Sequence, residues 1–209
     1  MASKQTLREK VFGIPILYKG FQKVVGAQEE KEALFKRLFN LESKHRILDI
    51  GCGEGASSSA IASQVESYVG IDHSEAYISS AKKTNAKHSN ARFLVADASD
   101  PAVLEMGPFD LVMVSGVLHH LDSPTISEML NNATRVLNPG GRFVALEPVF
   151  TETQGLVARL TIAADRGRFA RDREGYERLL EPHFRHVSCE IHDDLVRIPY
   201  THICISAQN

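Results

Sequence analysis

The stretch Ile47-Leu-Asp-Ile-Gly-Cys-Gly-Glu-Gly55 decides the fold. A short apolar run carrying one acid passes straight into three glycines, and a helical pattern resumes near Ala56. Glycines let a backbone turn sharply and approach a ligand, and the first N–H groups of the next helix are open to a polar partner. Working outward from Arg46–Ile50, further apolar runs recur at Tyr68–Asp72, Arg92–Ala96, Phe109–Ser115 and Arg142–Glu147, separated by helical patterns. That alternation predicts βαβ units and a mostly parallel sheet. The clearest helix lies between the fourth and fifth runs, where Ile126, Met129, Leu130, Ala133, Val136 and Leu137 recur at helical spacing. Asn138-Pro-Gly-Gly141 is expected to stop it. Upstream, Gln28 to Asn40 reads as an amphipathic helix with Leu34, Phe35, Leu38 and Phe39 on one side. Downstream, an Arg-rich helical stretch from Gln154 to Leu180 precedes two β-like runs, His186–Ile191 and Thr201–Ser206, which should finish the same sheet.

Composition narrows the function classes. The 209 residues include 24 Lys+Arg against 26 Asp+Glu, a formal net charge of −2, which excludes a broadly basic nucleic-acid coat. With 43% hydrophobic and 24% charged residues the chain is an ordinary globular one, and this length predicts a single domain. Its three cysteines, Cys52, Cys189 and Cys204, form no CxxC pair, so neither a disulfide framework nor a zinc ribbon is suggested. Lys4, Arg8 and Lys10 precede an apolar stretch, Val11 to Leu17, but Gly13 and Pro15 interrupt it and no cleavage site follows, so it is not read as a secretory signal. No apolar run approaches the roughly 20 residues of a membrane helix. The expectation is a soluble cytoplasmic protein with neither nucleic acid nor membrane as partner.

The glycine loop alone is ambiguous. Gly51-x-Gly53-x-x-Ala56 also satisfies a dinucleotide pattern, with Asp72 suitably placed for a ribose diol, so a nicotinamide-dependent oxidoreductase is one reading. A dinucleotide presents a pyrophosphate to such a loop, whereas S-adenosylmethionine presents an ammonium, a sulfonium and one carboxylate. Asp49, just before the first glycine, suits the cation. Asp97, in Phe93-Leu-Val-Ala-Asp-Ala98, can accept from an adenine amino group. Any one of these acids could be a cap or turn residue; three at consecutive strand ends lie on the face where open α/β sheets bind ligands.

Together, Leu48-Asp-Ile-Gly-Cys-Gly-Glu-Gly55, Gly70-Ile-Asp-His-Ser74, Phe109-Asp-Leu-Val, Leu118-His-His-Leu121 and Arg135-Val-Leu-Asn-Pro-Gly-Gly-Arg142 resemble, in order and spacing, the successive motifs of class I S-adenosylmethionine-dependent methyltransferases. The resemblance covers about half the chain. It implies a Rossmann-like, doubly wound, seven-stranded, mostly parallel sheet with its final strand antiparallel. It implies S-adenosylmethionine as cofactor, lying across Asp49, Gly51, Cys52, Gly53, Asp72, His73, Asp97 and Ala98, with Ser115 beside the methionine portion. Residues 1–43 are then a helical cap, 44–149 the cofactor-binding core and 150–209 the substrate-side helices and last strands. No Asn/Asp-Pro-Pro-Tyr/Phe motif follows the fourth strand, which by resemblance counts against a nucleobase or glutamine amide as acceptor.

Methyl transfer from sulfur is an in-line displacement that alignment and water exclusion can largely drive. If a base is needed, His119 and His120 are the candidates, since an imidazole titrates near neutrality. A packing role is the competing reading. Arg159, Arg166, Arg168, Arg171, Arg173 and Arg178 could recognise an anionic acceptor, or pair with Asp165, Asp172, Glu174 and Glu177 on a solvated helix; Arg168 and Arg171 are the ones carried forward. Tyr18, beside Phe21, and Tyr200 with His202 are the remaining acceptor-side candidates. His183, His186 and His192 with Asp193 and Asp194 lack metal-site spacing, and no metal is expected. Cys52 reads as a small residue rather than a nucleophile. The reading is transfer of a methyl group to a small molecule, at a hydroxyl oxygen, or alternatively at an amine or carboxylate. The reading outside enzymology is a catalytically idle nucleoside-binding partner subunit.

Overall fold

In the computed structural model, residues 28–164, 168–196 and 198–209 are described. Tyr18, Phe21, Asp165 and Arg166 lie outside them. Eight strands form one sheet: β1 (Arg46–Ile50), β2 (Ser67–Asp72), β3 (Ala91–Val95), β4 (Phe109–Ser115), β5 (Leu137–Phe150), the two-residue β6 (Arg171–Asp172), β7 (His186–His192) and β8 (His202–Gln208). The order is β3-β2-β1-β4-β5-β8-β7, with β6 paired to the end of β5. Strands β1 to β5 run parallel, and β8 runs antiparallel to both β5 and β7. This is the doubly wound sheet expected from the sequence, with β6 as an added fragment. The strand order reverses at β1 and β4, so the crevice for a ligand opens above their carboxyl ends.

Helices cover both faces. On one side α1 (Gln28–Phe39), α2 (Ser58–Ala62) and α3 (Glu75–Thr84) pack on alternate strand residues, so that Phe35, Phe39, Ile61 and Ile78 share a core with Ile47, Tyr68, Leu111 and Met113. On the other, α4 (Ser123–Val136) and α6 (Arg173–Leu180) cover Leu48, Val112, Val114, Phe143 and Ile205. A strand's side chains alternate between faces, so this division assigns every later residue to a side. Phe39 is fully buried, which makes α1 part of the core layer.

Three local expectations differ from the structure. The helix after the glycine loop starts at Ser58, because residues 51 to 55 are folded into a turn in which Gly55 N–H donates to Cys52 O at 3.1 Å. Helix α4 ends at Val136, but Asn138-Pro-Gly-Gly141 is a bulge inside β5, where Phe109 pairs with Leu137 and Leu111 already pairs with Arg142. The single stretch read from Gln154 to Leu180 is two helices, α5 (Leu156–Ala164) and α6. The Asp172 carboxylate accepts from Gly175 N–H at 2.8 Å and so starts a new helix inside it. Among the described residues no helix is long and apolar enough to cross a membrane.

His202 begins β8 opposite Pro148 and His192, and its Nδ1 is buried without a hydrogen-bond partner. Burial lowers its imidazole to about 4, with Glu147 acting in the opposite direction. The folded protein therefore holds His202 neutral, and its contribution to stability is present above pH 6.5 and lost as pH falls towards 4; a shift of this size is worth roughly 3 kcal/mol. Asp49, raised by burial to about 7, titrates in the opposite sense over the same range. In urea unfolding, His202→Gln should therefore gain on the wild type by roughly 3 kcal/mol between pH 7 and pH 4, the Asp49 effect cancelling in the difference. A pH-independent difference would contradict a buried neutral imidazole.

Candidate functional site

The glycine loop is shaped by a backbone that only glycine tolerates. Gly51 has φ +78°, its N–H and that of Cys52 reach Ile71 O at 2.8 and 3.0 Å, and a Cβ placed on it would strike Val117 Cγ2. The loop is thus fitted against the turn that follows β4. Asp72, buried at the end of β2, ties the same loop from the other side. Its Oδ2 accepts from Gly53 N–H at 3.1 Å and its Oδ1 from Ser74 N–H at 2.8 Å. Each oxygen retains a second lone pair. His73 is exposed, with Nδ1 3.6 Å from Asp72 Oδ1.

Asp49 and Ser115 lie on the α1–α2 face with Asp72, by strand alternation. Asp49 is 4% exposed, the Tyr68 hydroxyl donates to it, and that oxygen stands 2.7 Å from Ser58 Oγ. Burial pushes the Asp49 carboxyl up to about 7, against the opposing Tyr68 hydrogen bond. A cation brought to the loop would favour its charged form. Asp97 is exposed, and both of its bonds fall on Oδ1, from Ser99 N–H at 2.9 Å and the Ser99 hydroxyl at 2.7 Å. These hold its carboxyl below the usual range and leave Oδ2 for another donor. Ala98 O accepts from Asn132 Nδ2 at 3.2 Å. Burial, then Asp49 and Asp72, drive the Cys52 thiol far up, so it stays protonated, consistent with a small loop residue.

Beyond Ser115, a single 3₁₀ turn (Leu118–His120) carries the histidine pair. Its anchor is Glu147 on β5, fully buried and facing the α4 side. Glu147 Oε1 accepts from Val117 N–H at 2.9 Å and Leu118 N–H at 3.0 Å, and Oε2 from His119 N–H at 3.3 Å. The His119 ring completes the set, with Nδ1 2.6 Å from Oε2. With three backbone donors on it, Glu147 is the acceptor throughout, so Nδ1 of His119 carries a proton and donates it to Oε2. His119 is 4% exposed, its ring centroid 4.0 Å from that of the exposed His120. Sequence reading did not single out Glu147; the one available signal was a charge inside the otherwise apolar run Phe143–Val149.

The arginines divide. Arg173 pairs with Glu177 at 2.7 Å and Arg178 with Glu174 at 3.4 Å, both on the helix surface. Arg159 lies over the Phe150 ring at 5.4 Å. Arg171 does not present its guanidinium to the crevice: the N–H groups go to the carbonyls of Leu118, Leu121 and Phe169. Arg168 is exposed, with no ion pair among the described residues. Tyr200 and His202 are 5% and 9% exposed, ring centroids 4.8 Å apart. His202 falls on the sheet face opposite Glu147. Among the described residues no group of three or more His, Cys, Asp or Glu could hold a metal ion.

The methyltransferase domain family matches residues 47–141. A demethylmenaquinone methyltransferase from Staphylococcus aureus (strain MRSA252) is 32% identical over 149 residues, covering 66% of this chain and 60% of that one. A second, from Clavibacter sepedonicus, is 35% identical over 102 residues, covering 49% and 40%. The chain thus spans less than two thirds of these relatives. In three dimensions, human N-acetylserotonin methyltransferase, solved in complex with S-adenosylmethionine, superposes with a TM-score of 0.66 at 18% identity, over 98% of this chain and 63% of that one. Over residues 47–141 in sequence, and in its fold, the chain is similar to methyltransferases, one of them solved with S-adenosylmethionine bound. The residues present fit that cofactor: a left-handed glycine loop with no room for a side chain at Gly51 or Gly55, a buried acid that a cation would ionise, and two further carboxylates with unused lone pairs at successive strand ends.

Gly51→Ala should weaken S-adenosylhomocysteine binding by at least about tenfold in calorimetry, since it meets both a disfavoured φ and Val117. Adding Val117→Ala should restore part of the loss, because it removes the collision and leaves the backbone strain. Full affinity in Gly51→Ala alone would show that the loop can move. Cofactor affinity should also rise with pH through about 7 as Asp49 ionises, and Tyr68→Phe, which removes its donor, should move that rise to higher pH.

Proposed function

We propose that the chain transfers a methyl group to a hydroxyl oxygen of a small molecule, with the histidine turn taking up the acceptor's proton. The observation that carries the reading is the His119–Glu147 pair, a proton-holding Nδ1 on a buried carboxylate, one turn beyond the β4 end that closes the cofactor crevice. Bound S-adenosylmethionine supplies a methyl on a sulfonium. Transfer to oxygen breaks the S–CH₃ bond towards sulfur and releases the hydroxyl proton, for which the protein must provide a base. An imidazole oriented by a carboxylate is such a base. Amine acceptors also release a proton, whereas a carboxylate acceptor needs none, so the oriented imidazole favours a protic acceptor.

The roles follow from position. Asp49 and the glycine loop would hold the cationic methionine end, Asp72 with His73 beside it the ribose, Asp97 and Ala98 the adenine, and Ser115 the edge of the methionine portion. Cys52 lines the loop. Arg168, exposed next to Phe169, is the arginine left to meet a negatively charged acceptor; Tyr18, Tyr200 and His202 remain proposals for the acceptor side. That similar chains bear the names of demethylmenaquinone and N-acetylserotonin methyltransferases supports a small acceptor.

Mass spectrometry of small-molecule extracts incubated with the protein and methyl-labelled cofactor should reveal a labelled methyl ether. With that acceptor, His119→Ala should lower turnover about 10²–10⁴-fold while S-adenosylhomocysteine affinity stays within about twofold. Label on nitrogen or carboxylate would redirect the reading, and undiminished turnover in both His119→Ala and His120→Ala would remove the base.

A further inference from the structure

The histidine turn is gripped from two directions. Glu147 takes its leading N–H groups from within the sheet; residues 169–171 take its carbonyls from the segment that returns after α5. Arg171 Nη1 donates to Leu118 O at 3.1 Å and to Phe169 O at 2.7 Å, and Nη2 donates to Leu121 O at 3.3 Å. Phe169 N–H donates to His119 O at 3.0 Å. The guanidinium carbon lies 5.8 Å from the Phe169 ring centroid and 5.9 Å from that of Tyr176, whose hydroxyl in turn donates to Pro148 O at 2.9 Å. A one-turn helix begins in unpaired donors and ends in unpaired acceptors, so an anion at the first end and a cation at the second oppose its dipole at both.

We propose that Arg171 is a positioning residue: by holding the carbonyl end of the Leu118–Leu121 turn, it fixes His119 and His120 in one orientation towards the acceptor. This rests on the proposed role of those histidines. The guanidinium has a carboxylate next to it in sequence, Asp172, yet that carboxylate caps α6 and no ion pair to Arg171 occurs among the described residues. Besides the local bond to Phe169 O, its donors go to main-chain oxygens contributed by residues 50 and 53 positions earlier. The segment carrying Arg168 and Phe169, on the acceptor side, is thereby tied directly to the turn that carries the base. Arg171 does not touch the acceptor in this role; it acts through the turn, and its loss should show in the histidines rather than in acceptor binding.

The test needs no acceptor. The full chain, saturated with S-adenosylhomocysteine, is compared as wild type, Arg171→Ala and Arg171→Lys by amide hydrogen exchange and by nitrogen NMR of labelled histidines. In Arg171→Ala the amides of His120, Leu121 and Phe169 should exchange at least about tenfold faster, and the ring signals of His119 and His120 should move to averaged orientations, while β1 and β4 amides and S-adenosylhomocysteine affinity stay within about twofold. Lysine, with one compact donor group in place of the fork, should give intermediate protection, and millimolar guanidinium should restore protection to Arg171→Ala. Unchanged histidine signals and exchange in both variants would overturn the proposal, as would loss of protection spread equally over β1 and β4. If Arg171→Ala does not fold, Arg171→Lys decides alone by the same signals. Once an acceptor is in hand, a raised acceptor KM with unchanged kcat in Arg171→Lys would make Arg171 an acceptor ligand instead. Failure of the base is separable, because turnover surviving in His119→Ala would leave the exchange and ring signals of the Arg171 variants as they are.

Discussion

A carboxylate with no access to water holds the site half of this molecule together. Glu147 stands fully buried at the end of β5, and its charge is tolerable there because three consecutive backbone N–H groups and an imidazole N–H converge on it. Those same bonds satisfy the donors at the start of a one-turn helix that has no cap of its own. The turn in turn sets Val117 against Gly51, so the shape of the glycine loop, 66 residues away in sequence from the next strand's turn, depends on the same contact. Remove the carboxylate and the amides of Leu118 and His119 are left unpaired in a dry interior, a cost far above that of a lost surface pair.

The two faces of the sheet carry different work. Asp49, Asp72 and Ser115 point to the side covered by α1, α2 and α3; Glu147 and the core beneath the histidine turn belong to the side covered by α4 and α6. The crevice at the reversal of strand order is where the two sides meet. Two buried titratable groups share the first of these sides: Asp49 is shifted up and His202 down, each because burial disfavours its charged form. Their opposite signs keep the fold's response to acid shallower than either would alone.

Most of the sheet could be read from the chain because its signals are local. Apolar runs of strand length, the glycine spacing after β1 and the helical period of α4 each sit within a dozen residues, and the strand bounds of β1 and β4 coincide with the reading. What escaped reading depended on distant partners. A single Glu in an apolar run looks like a strand end until the amides of residues 117–119 are brought to it. Arg171 was placed among ligand-binding or helix-pairing arginines because its neighbours in sequence are acids and turn residues; the carbonyls that claim it come from across the fold. The break between α5 and α6 was visible in principle, since Asp172 stands three residues before Gly175 as a cap does, but the helical pattern on either side hid it.

The bulge in β5 also decides where the chain can change length. Phe109 and Leu111 stand two apart on β4 while their partners Leu137 and Arg142 stand five apart, so residues 138–141 are slack taken up outside the ladder. From Arg142 onward the strand is held on its other edge by β8, from Arg142↔Gln208 through Glu147↔Ile203. Insertions or deletions within Asn138–Gly141 leave that pairing untouched. A single residue added between Arg142 and Leu146 would turn Glu147 to the opposite face, away from its amides and towards His202, because side chains alternate along a strand. The bulge thus isolates the chemistry at one end of the strand from variation in length at the other.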